Sequence, residues 1–410
     1  MTASDIPIRV GDPGDWDAIW NLLGQVFHDS PSAEASAVDQ AVFEPARSLV
    51  LEDDGAIVGH GAAYTRDLTV PGAVLPAAHV TLVGVAPTHR RRGLLTRMMH
   101  RQLREIAAAG REPIAVLWAS ESKIYQRFGY GHAAHRLRLD VPTPEVHLPD
   151  TPTRGRLRAV DTDAGRKDFA TVYEHLRPHR VGWSSRDEAW WSYTLADVEA
   201  HRHGATPLQA VVYGTPDGPA GYALWRTKGD WNERGADGRV EVREVAAADP
   251  DACLALWRFL FSIDLTRHVS VHHAALDEPL QYLVDDARRL GASIGDGLWI
   301  RVVDLPAALA GRRYAAPLDV VLDVTDPLLE ANTGRWRLTV DDTGTATCTP
   351  TSSPADLSCT VLELGTVYLG AVRLAALAAA GKVTEHTPGA LRRATASFGW
   401  HRMPQPVEVF

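Results

Sequence analysis

Apolar and polar positions alternate between a helical and a strand period along this chain. From Asp15 to Phe27 the apolar residues Trp16, Ile19, Leu22, Leu23 and Phe27 recur at helical spacing, which predicts an amphipathic helix with one buried face. The polar stretch HDSPSAEASAVDQAVF leads into a second short helix, a kind of segment that often shapes the entrance to a site. Residues 48–52 and 56–65 read as two strands joined by a turn at Asp53, Asp54 and Gly55. Gly59 and Gly61 fall inside the second strand, and no helix follows that would make them a nucleotide loop. Residues 80–85 are apolar and partly β-branched and end at Pro87, a buried strand. After Gly93 the spacing becomes helical through Leu95, Met99, Leu103 and Ile106, and Gly110 is the stop. Residues 114–118 form a further strand. ASESKIYQRFGYG then predicts a short helix capped by Ser120 or Ser122, carrying Ile124, Tyr125 and Phe128, and ended by Gly129.

The stretch between about residues 142 and 156, PTPEVHLPDTPTRG, is rich in Pro and Thr and reads as a connection between domains. Helix and strand periods then return, and GRVEVREVAAADPDACLALWRFLF repeats the strand-to-helix order of residues 79–110. Its turn, AAADPDA, has neither an arginine cluster nor a glycine, so an anion there would meet Asp249 and Asp251. This second unit is expected to bind no coenzyme. From Leu298 onward, PLDVVLDV, GRWRLTVDD and LSCTVLELGTVYLG read as three strands, followed by the Ala-rich helix VRLAALAAAG and by TPGALRRATASFGW, an α+β layer. The divisions fall at 1–150, 151–295 and 296–410.

A chain of 410 residues exceeds one ordinary core and agrees with several domains. A net charge of −9 argues against general nucleic-acid binding and mildly favours a cationic partner. No secretory signal and no bilayer-spanning apolar run is visible, and Cys253, Cys348 and Cys359 are scattered, so a cytoplasmic setting without disulfides is expected. The cysteines lack ligand spacing, and His201, His203, His268, His272 and His273 lack companion carboxylates, so no metal is expected. Cys253 has no base nearby in sequence to make it a nucleophile. Trp183, Trp190, Trp191, Trp225 and Trp231 read as core and subunit contacts.

The turn between the strand at 80–85 and its helix changes the picture. Arg90, Arg91 and Arg92 stand just before a helix N-terminus that already carries partial positive charge, an arrangement that calls for an anion. Gly93 removes the side chain where such an anion would approach, and a phosphate or pyrophosphate fits. Taken with its strand and helix, this R-x-x-G-x-x loop, Arg90 to Leu95, resembles the pyrophosphate loop of the GNAT acetyltransferases, although Leu95 stands where many members have Gly or Ala. VGVAPTHRRRGLL followed by ASESKIYQRFGYG is similar to the Eis (enhanced intracellular survival) family of aminoglycoside and lysine N-acetyltransferases. The resemblance implies two GNAT-like mixed-sheet domains, the first of them catalytic, followed by a sterol-carrier-protein-like α+β domain. It also implies acetyl-CoA as co-substrate, with backbone contacts from Val83, Gly84 and Val85. Arg90, Arg91, Arg92, Gly93, Leu94, Leu95 and Thr96 would lie at the pyrophosphate, and Ser120 and Glu121 would border the cofactor.

Tyr125 is either a half-buried core ring or, as the family pattern implies, the general acid that protonates the departing thiolate. By the same resemblance the α-carboxylate of the last residue, Phe410, is the general base, with Glu408 adding negative potential. Asp29 and Glu34 read as surface carboxylates that could join an acidic pocket. The expected activity is acetyl transfer to a primary amine of a cationic small molecule such as an aminoglycoside. A protein lysine or polyamine acceptor is one alternative, and a non-catalytic carrier of a lipid or other apolar ligand is another. A homo-oligomer, by resemblance a hexamer, is expected, with no nucleic-acid or membrane partner.

Overall fold

Chain order begins with β1 (Ile8–Val10), helices α1 (Trp16–Phe27) and α2 (Ala33–Gln40), and three antiparallel strands, β2 (Ser48–Asp53), β3 (Ala56–Val70) and β4 (Ala73–Val85). The computed structural model describes residues 6–30 and 32–410. β3 and β4 run well past their apolar centres, because Pro71 and Gly72 close a tight hairpin in which Gly72 takes a φ of 64°. α3 (Leu94–Ala109), β5 (Ile114–Trp118), α4 (Ser122–Tyr125) and β6 (Gly131–His132) follow. Met99, Leu103 and Ile106 of α3 pack on Ala63, Ala78 and Val80 of one sheet face, and Ile19 and Leu23 of α1 pack with Val50. These are the periodic residues of the two predicted helices, so amphipathicity alone assigns each helix its buried face.

A second unit, residues 135–296 with 402–409, is built from β7 (His135–Pro142), β8 (Arg156–Val160), α5 (Thr162–Leu176), α6 (Glu188–Leu195), β9 (Gln209–Thr215) and β10 (Gly218–Lys228). A small hairpin, β11 (Trp231–Asn232) and β12 (Gly235–Ala236), precedes β13 (Gly238–Ala247), α7 (Pro250–Phe261), β14 (Thr266–Ala274), α8 (Leu280–Leu283) and β15 (Ser293–Asp296). Its seven-stranded sheet has the order β15-β7-β14-β13-β10-β9-β8. Thus β7 pairs here, ahead of the Pro-rich connection that composition marks as the boundary. Trp183, Trp190, Trp191 and Trp225 are buried, whereas Trp231 is 67% exposed.

The tail at 402–409 is an integral part of this unit. Val407 joins the core of Phe169, Trp183, Tyr222 and Leu224, and the Gln405 N–H donates to the Val181 carbonyl at 2.8 Å. Gly182, with φ 93°, permits the close passage, since a Cβ there would lie 3.1 Å from the Gln405 carbonyl oxygen. Arg186, its side chain wholly buried, binds Glu244 at 2.7 Å and Glu408 at 2.8 Å and stacks on the Tyr173 ring. Burial alone would push its guanidinium down, but the two carboxylates hold it well above its ordinary value. Glu408, expected to add potential beside Phe410, is instead paired with Arg186, which it shares with Glu244.

The chain then returns to the first unit with β16 (Leu298–Val302), which lies antiparallel between β5 and β6 and completes the order β1-β2-β3-β4-β5-β16-β6. α9 (Leu305–Gly311), β17 (Leu318–Thr325), β18 (Gly334–Val340), β19 (Ala346–Pro350) and β20 (Leu357–Thr360) lead to α10 (Val361–Val367), α11 (Leu374–Ala379), β21 (Thr384–Glu385) and α12 (Ala390–Phe398). These strands form a five-stranded sheet. LSCTVLELGTVYLG is a strand only as far as Thr360. There the Thr360 and Glu363 side chains form a reciprocal capping box that starts a helix, a local signal that overrides the apolar run. The turn-rich stretch before it supplies the strand β19. Arg301 and Asp326 have fully buried side chains, and one guanidinium nitrogen, Nη2, donates to both carboxylate oxygens at 2.8 and 2.7 Å.

Removing one partner of a buried ion cluster leaves an uncompensated charge. Arg186→Met is expected to lower the stability of the full chain by about 3–5 kcal/mol, read as a reduced urea midpoint of tryptophan fluorescence.

Candidate active site

β4 does not run evenly through its pairing with β3. Between the pairs Ala62–Thr81 and His60–Gly84, only Gly61 stands opposite Leu82 and Val83. This is a β-bulge, and within it Leu82 takes a φ of 52°, uncommon for a residue with a side chain. His60 holds it: Nδ1 lies 2.8 Å from the Leu82 carbonyl oxygen, which can only accept, so Nδ1 carries the proton. Burial pushes the imidazole down to about 4 despite that bond, keeping His60 neutral near pH 7. On its other edge β4 pairs with parallel β5 only through Ala77, Ala78 and His79. Beyond them the strands part, and a cleft of about 380 Å³ opens at their carboxyl ends.

Val83, Gly84 and Val85 form one wall of this cleft, Ser120, Glu121 and Tyr125 another, and Arg90, Arg91, Gly93, Leu94, Leu95 and Thr96 border it. Gly84 lets α1 approach, since a Cβ there would lie 3.2 Å from the Val26 side chain. Arg91 and Gly93 take φ values of 63° and 76°, wrapping the loop around the start of α3. The first intrahelical bond runs from the Arg97 N–H to the Gly93 carbonyl at 3.0 Å, which leaves the preceding N–H groups facing the loop. No side chain caps this end. The residues fit a pyrophosphate: helix N–H donors, two arginines at the cleft and no Cβ at position 93. Arg92 is not on the cleft wall; its guanidinium folds back to the Thr88 carbonyl at 3.2 Å.

In the second unit, β13 and β14 also run parallel and pair only from Gly238 to Val242. There the corresponding gap is a cavity of about 20 Å³, with Gln405 and Val407 of the tail among its walls. The start of α7 is closed as well, because the Asp249 carboxylate accepts from the Ala252 N–H at 2.8 Å and Asp251 pairs with Arg154 at 2.7 Å.

Tyr125 is 5% exposed and faces the cleft. Burial pushes its phenol up to about 12, against the pull of a hydrogen bond with Ser120, so it keeps its proton at neutral pH. Neither Ser120 nor Ser122 caps α4. Glu121 is the N-cap residue and makes no side-chain cap bond. Phe410 belongs to the first unit. The Thr81 hydroxyl donates to an oxygen of its α-carboxylate at 3.0 Å, and its ring meets the His79 ring at 4.6 Å. Burial pushes the Cys253 thiol up to about 12, far from a nucleophile.

Three segments match known domain families: residues 7–133 and 182–302 each match an acetyltransferase (GNAT) domain, and 305–405 match a sterol carrier protein domain. The chain is 44% identical over 396 residues to an uncharacterized N-acetyltransferase of Streptomyces avermitilis, covering 95% of this chain and 96% of that one. It is 36% identical over 400 residues to the N-acetyltransferase Eis of Mycobacterium tuberculosis, covering 94% of each. This chain belongs to the Eis family of N-acetyltransferases. The crystal structure of Eis1 from Mycobacterium abscessus superposes with a TM-score of 0.85 at 32% identity, covering 98% of this chain and all of that one. The protein is accordingly an acyltransferase with two GNAT domains and a sterol-carrier-like domain, and its GNAT folds imply use of acetyl-CoA. No helix among the described residues is long and apolar enough to cross a membrane.

Several walls of this Eis-family cleft escaped the sequence reading. Phe27, assigned to the buried face of α1, is 48% exposed and lines the cleft with Val26, His89, Ile124 and Arg127. His89 stands inside the same loop as the arginines, and its Nε2 lies 2.9 Å from Asp53. That contact depends on a distant turn, so no local spacing announces it.

The lowered value of His60 has a direct consequence. Unfolding exposes an imidazole that protonates near pH 6.5, whereas the folded ring resists protonation until about 4. Stability present above pH 6.5 is therefore lost as pH falls through 4, by roughly 3 kcal/mol in full. His60→Asn, which has a neutral donor at every pH, is expected to flatten this part of the profile, measured as thermal midpoint against pH.

Proposed function

We propose that the protein transfers the acetyl group of acetyl-CoA to a primary amine of a cationic small molecule, an aminoglycoside representing the class. The observation that carries this reading is the convergence on one cleft of a helix start bordered by arginines and a buried, fully protonated tyrosine. When bound, acetyl-CoA supplies an activated thioester. Arg90, Arg91 and the Gly93–Thr96 backbone hold its pyrophosphate, and the backbone of Val83, Gly84 and Val85 meets the pantetheine and the acetyl carbonyl, fixing the geometry of attack. The Phe410 carboxylate takes a proton from the acceptor ammonium through water. The neutral nitrogen attacks the acetyl carbon, a C–N bond forms, the C–S bond breaks, Tyr125 gives its proton to the departing sulfur, and the second proton shed by the acylated nitrogen restores the Tyr125 phenol. No covalent enzyme intermediate is involved. The working assembly is a homohexamer in the cytoplasm, as the family resemblance implies.

Titration calorimetry with acetyl-CoA is the first test. Tight binding is expected in the parent and a weakening of tenfold or more in the double variant Arg90→Ala, Arg91→Ala, where two charge-assisted contacts are lost. Unchanged affinity in that variant removes the pyrophosphate assignment. Tyr125→Phe should retain acetyl-CoA affinity and lose roughly 10²- to 10⁴-fold in kcat. Residues appended after Phe410 should abolish turnover without unfolding the chain. A consumption screen over aminoglycosides, polyamines and lysine peptides decides the acceptor, and turnover confined to peptides or polyamines overturns the small-molecule assignment.

A further inference from the structure

The seat of the last residue is built from one strand. His79 and Thr81 are two apart on β4, so both side chains leave the same face, the one opposite Ala78 and Val80 and their α3 partners. Both are buried, His79 at 0% and Thr81 at 8% exposure. The His79 Nδ1 lies 3.0 Å from the Ala77 carbonyl oxygen, an acceptor only, so this nitrogen donates and the ring is locked to its own strand. The Phe410 ring then lies at 60° to the locked imidazole, while the Thr81 hydroxyl donates to the carboxylate at 3.0 Å. A terminal residue ordinarily frays; here both its ring and its charge are gripped.

The next residues along the same strand are the bulge and then the cleft wall at Val83. Thr81 and Val83 stand on either side of the bulged Leu82, so one strand carries both the seat of the carboxylate and a wall of the cleft. One hydroxyl on one carboxylate oxygen also stops the group from rotating and leaves the second oxygen to accept a proton.

We propose that Thr81 and His79 are positioning residues for the terminal base: Thr81 fixes the rotation of the Phe410 carboxylate, and His79 makes an aromatic last residue a requirement for turnover. This rests on the reading of Phe410 as the base. A hydrogen bond to the charged form also favours that form, so losing it raises the pH at which the base is protonated.

Thr81→Val keeps the shape and removes the donor. Expected are a kcat loss of roughly 10- to 100-fold, an acetyl-CoA Kd within about twofold of the parent, and an acid limb of the kcat/KM profile moved to higher pH. Thr81→Ser should restore kcat. Phe410→Ala, which keeps the carboxylate and removes only the ring that meets His79, should lose kcat by a similar factor, again with acetyl-CoA affinity intact. It serves as the deciding variant if Thr81→Val fails to fold. Full kcat in Thr81→Val overturns the role of Thr81, and full kcat in Phe410→Ala overturns that of His79. Residues appended after Phe410 separate the two levels. If the extended chain is inactive while Thr81→Val and Phe410→Ala are unaffected, the positioning roles fail and the terminal base stands. If the extended chain is active, the base reading fails and takes this proposal with it.

Discussion

The hydrogen bond between His60 and the Leu82 carbonyl holds two residues of β4 opposite one of β3. The parallel pairing of β4 with β5 ends at His79, and the bulge follows at Leu82 and Val83. A regular sheet would have presented Val83, Gly84 and Val85 to a neighbouring strand, with their backbone groups occupied by the ladder. The divergence aims them at a cleft instead. The same irregularity separates the strand into a lower part that carries His79 and Thr81 and an upper part that carries the cleft wall. A bulge with a left-handed leucine is costly by itself, and the neutral, buried imidazole is what offsets that cost.

The two GNAT units show how little chemistry separates an open site from a closed one. Each has parallel strands that part beyond a few pairs, followed by a helix. At α3 the N-cap is Gly93, no side chain covers the N–H groups, and arginines stand beside them. At α7 the N-cap is Asp249, which binds a helix N–H with its own carboxylate, and the sheet opening is lined by Gln405 and Val407. An anion would meet donors in one and an internal carboxylate in the other. The buried Arg186, Glu244 and Glu408 cluster makes the second unit the holder of residues 402–409, which explains why an apolar, proline-stiffened end is not a loose tail.

Much of the first unit was legible in the residues themselves. The periods of α1 and α3 named their buried faces apart from Phe27, and Arg90, Arg91 and Gly93 marked a turn suited to an anion, because charge beside a helix N-terminus is a local property. The aspartates at the α7 turn were equally readable for the same reason. Local signals also misled where a nearer one was overlooked. The reciprocal cap between Thr360 and Glu363 starts a helix inside an apolar run, and α4 begins after Glu121, so neither Ser120 nor Ser122 stands at its N-cap. Arg92, indistinguishable in sequence from its neighbours, folds back on the Thr88 carbonyl.

By itself the sequence determined the periodic elements, the anion-seeking turn, the repeat of strand and helix in the second unit, and the family to which all of these point. Those features depend on residues within a few positions of one another, where helix dipoles, caps and side-chain period act directly. Tertiary structure alone decided that β7 and β16 pair in sheets other than their sequence neighbourhood suggests, and that Phe27 borders the cleft. It also decided that Thr81 and His79 grip a residue at the far end of the chain. Such contacts join groups far apart along the chain, 329 residues for Thr81 and Phe410, and nothing in either local sequence records the partner.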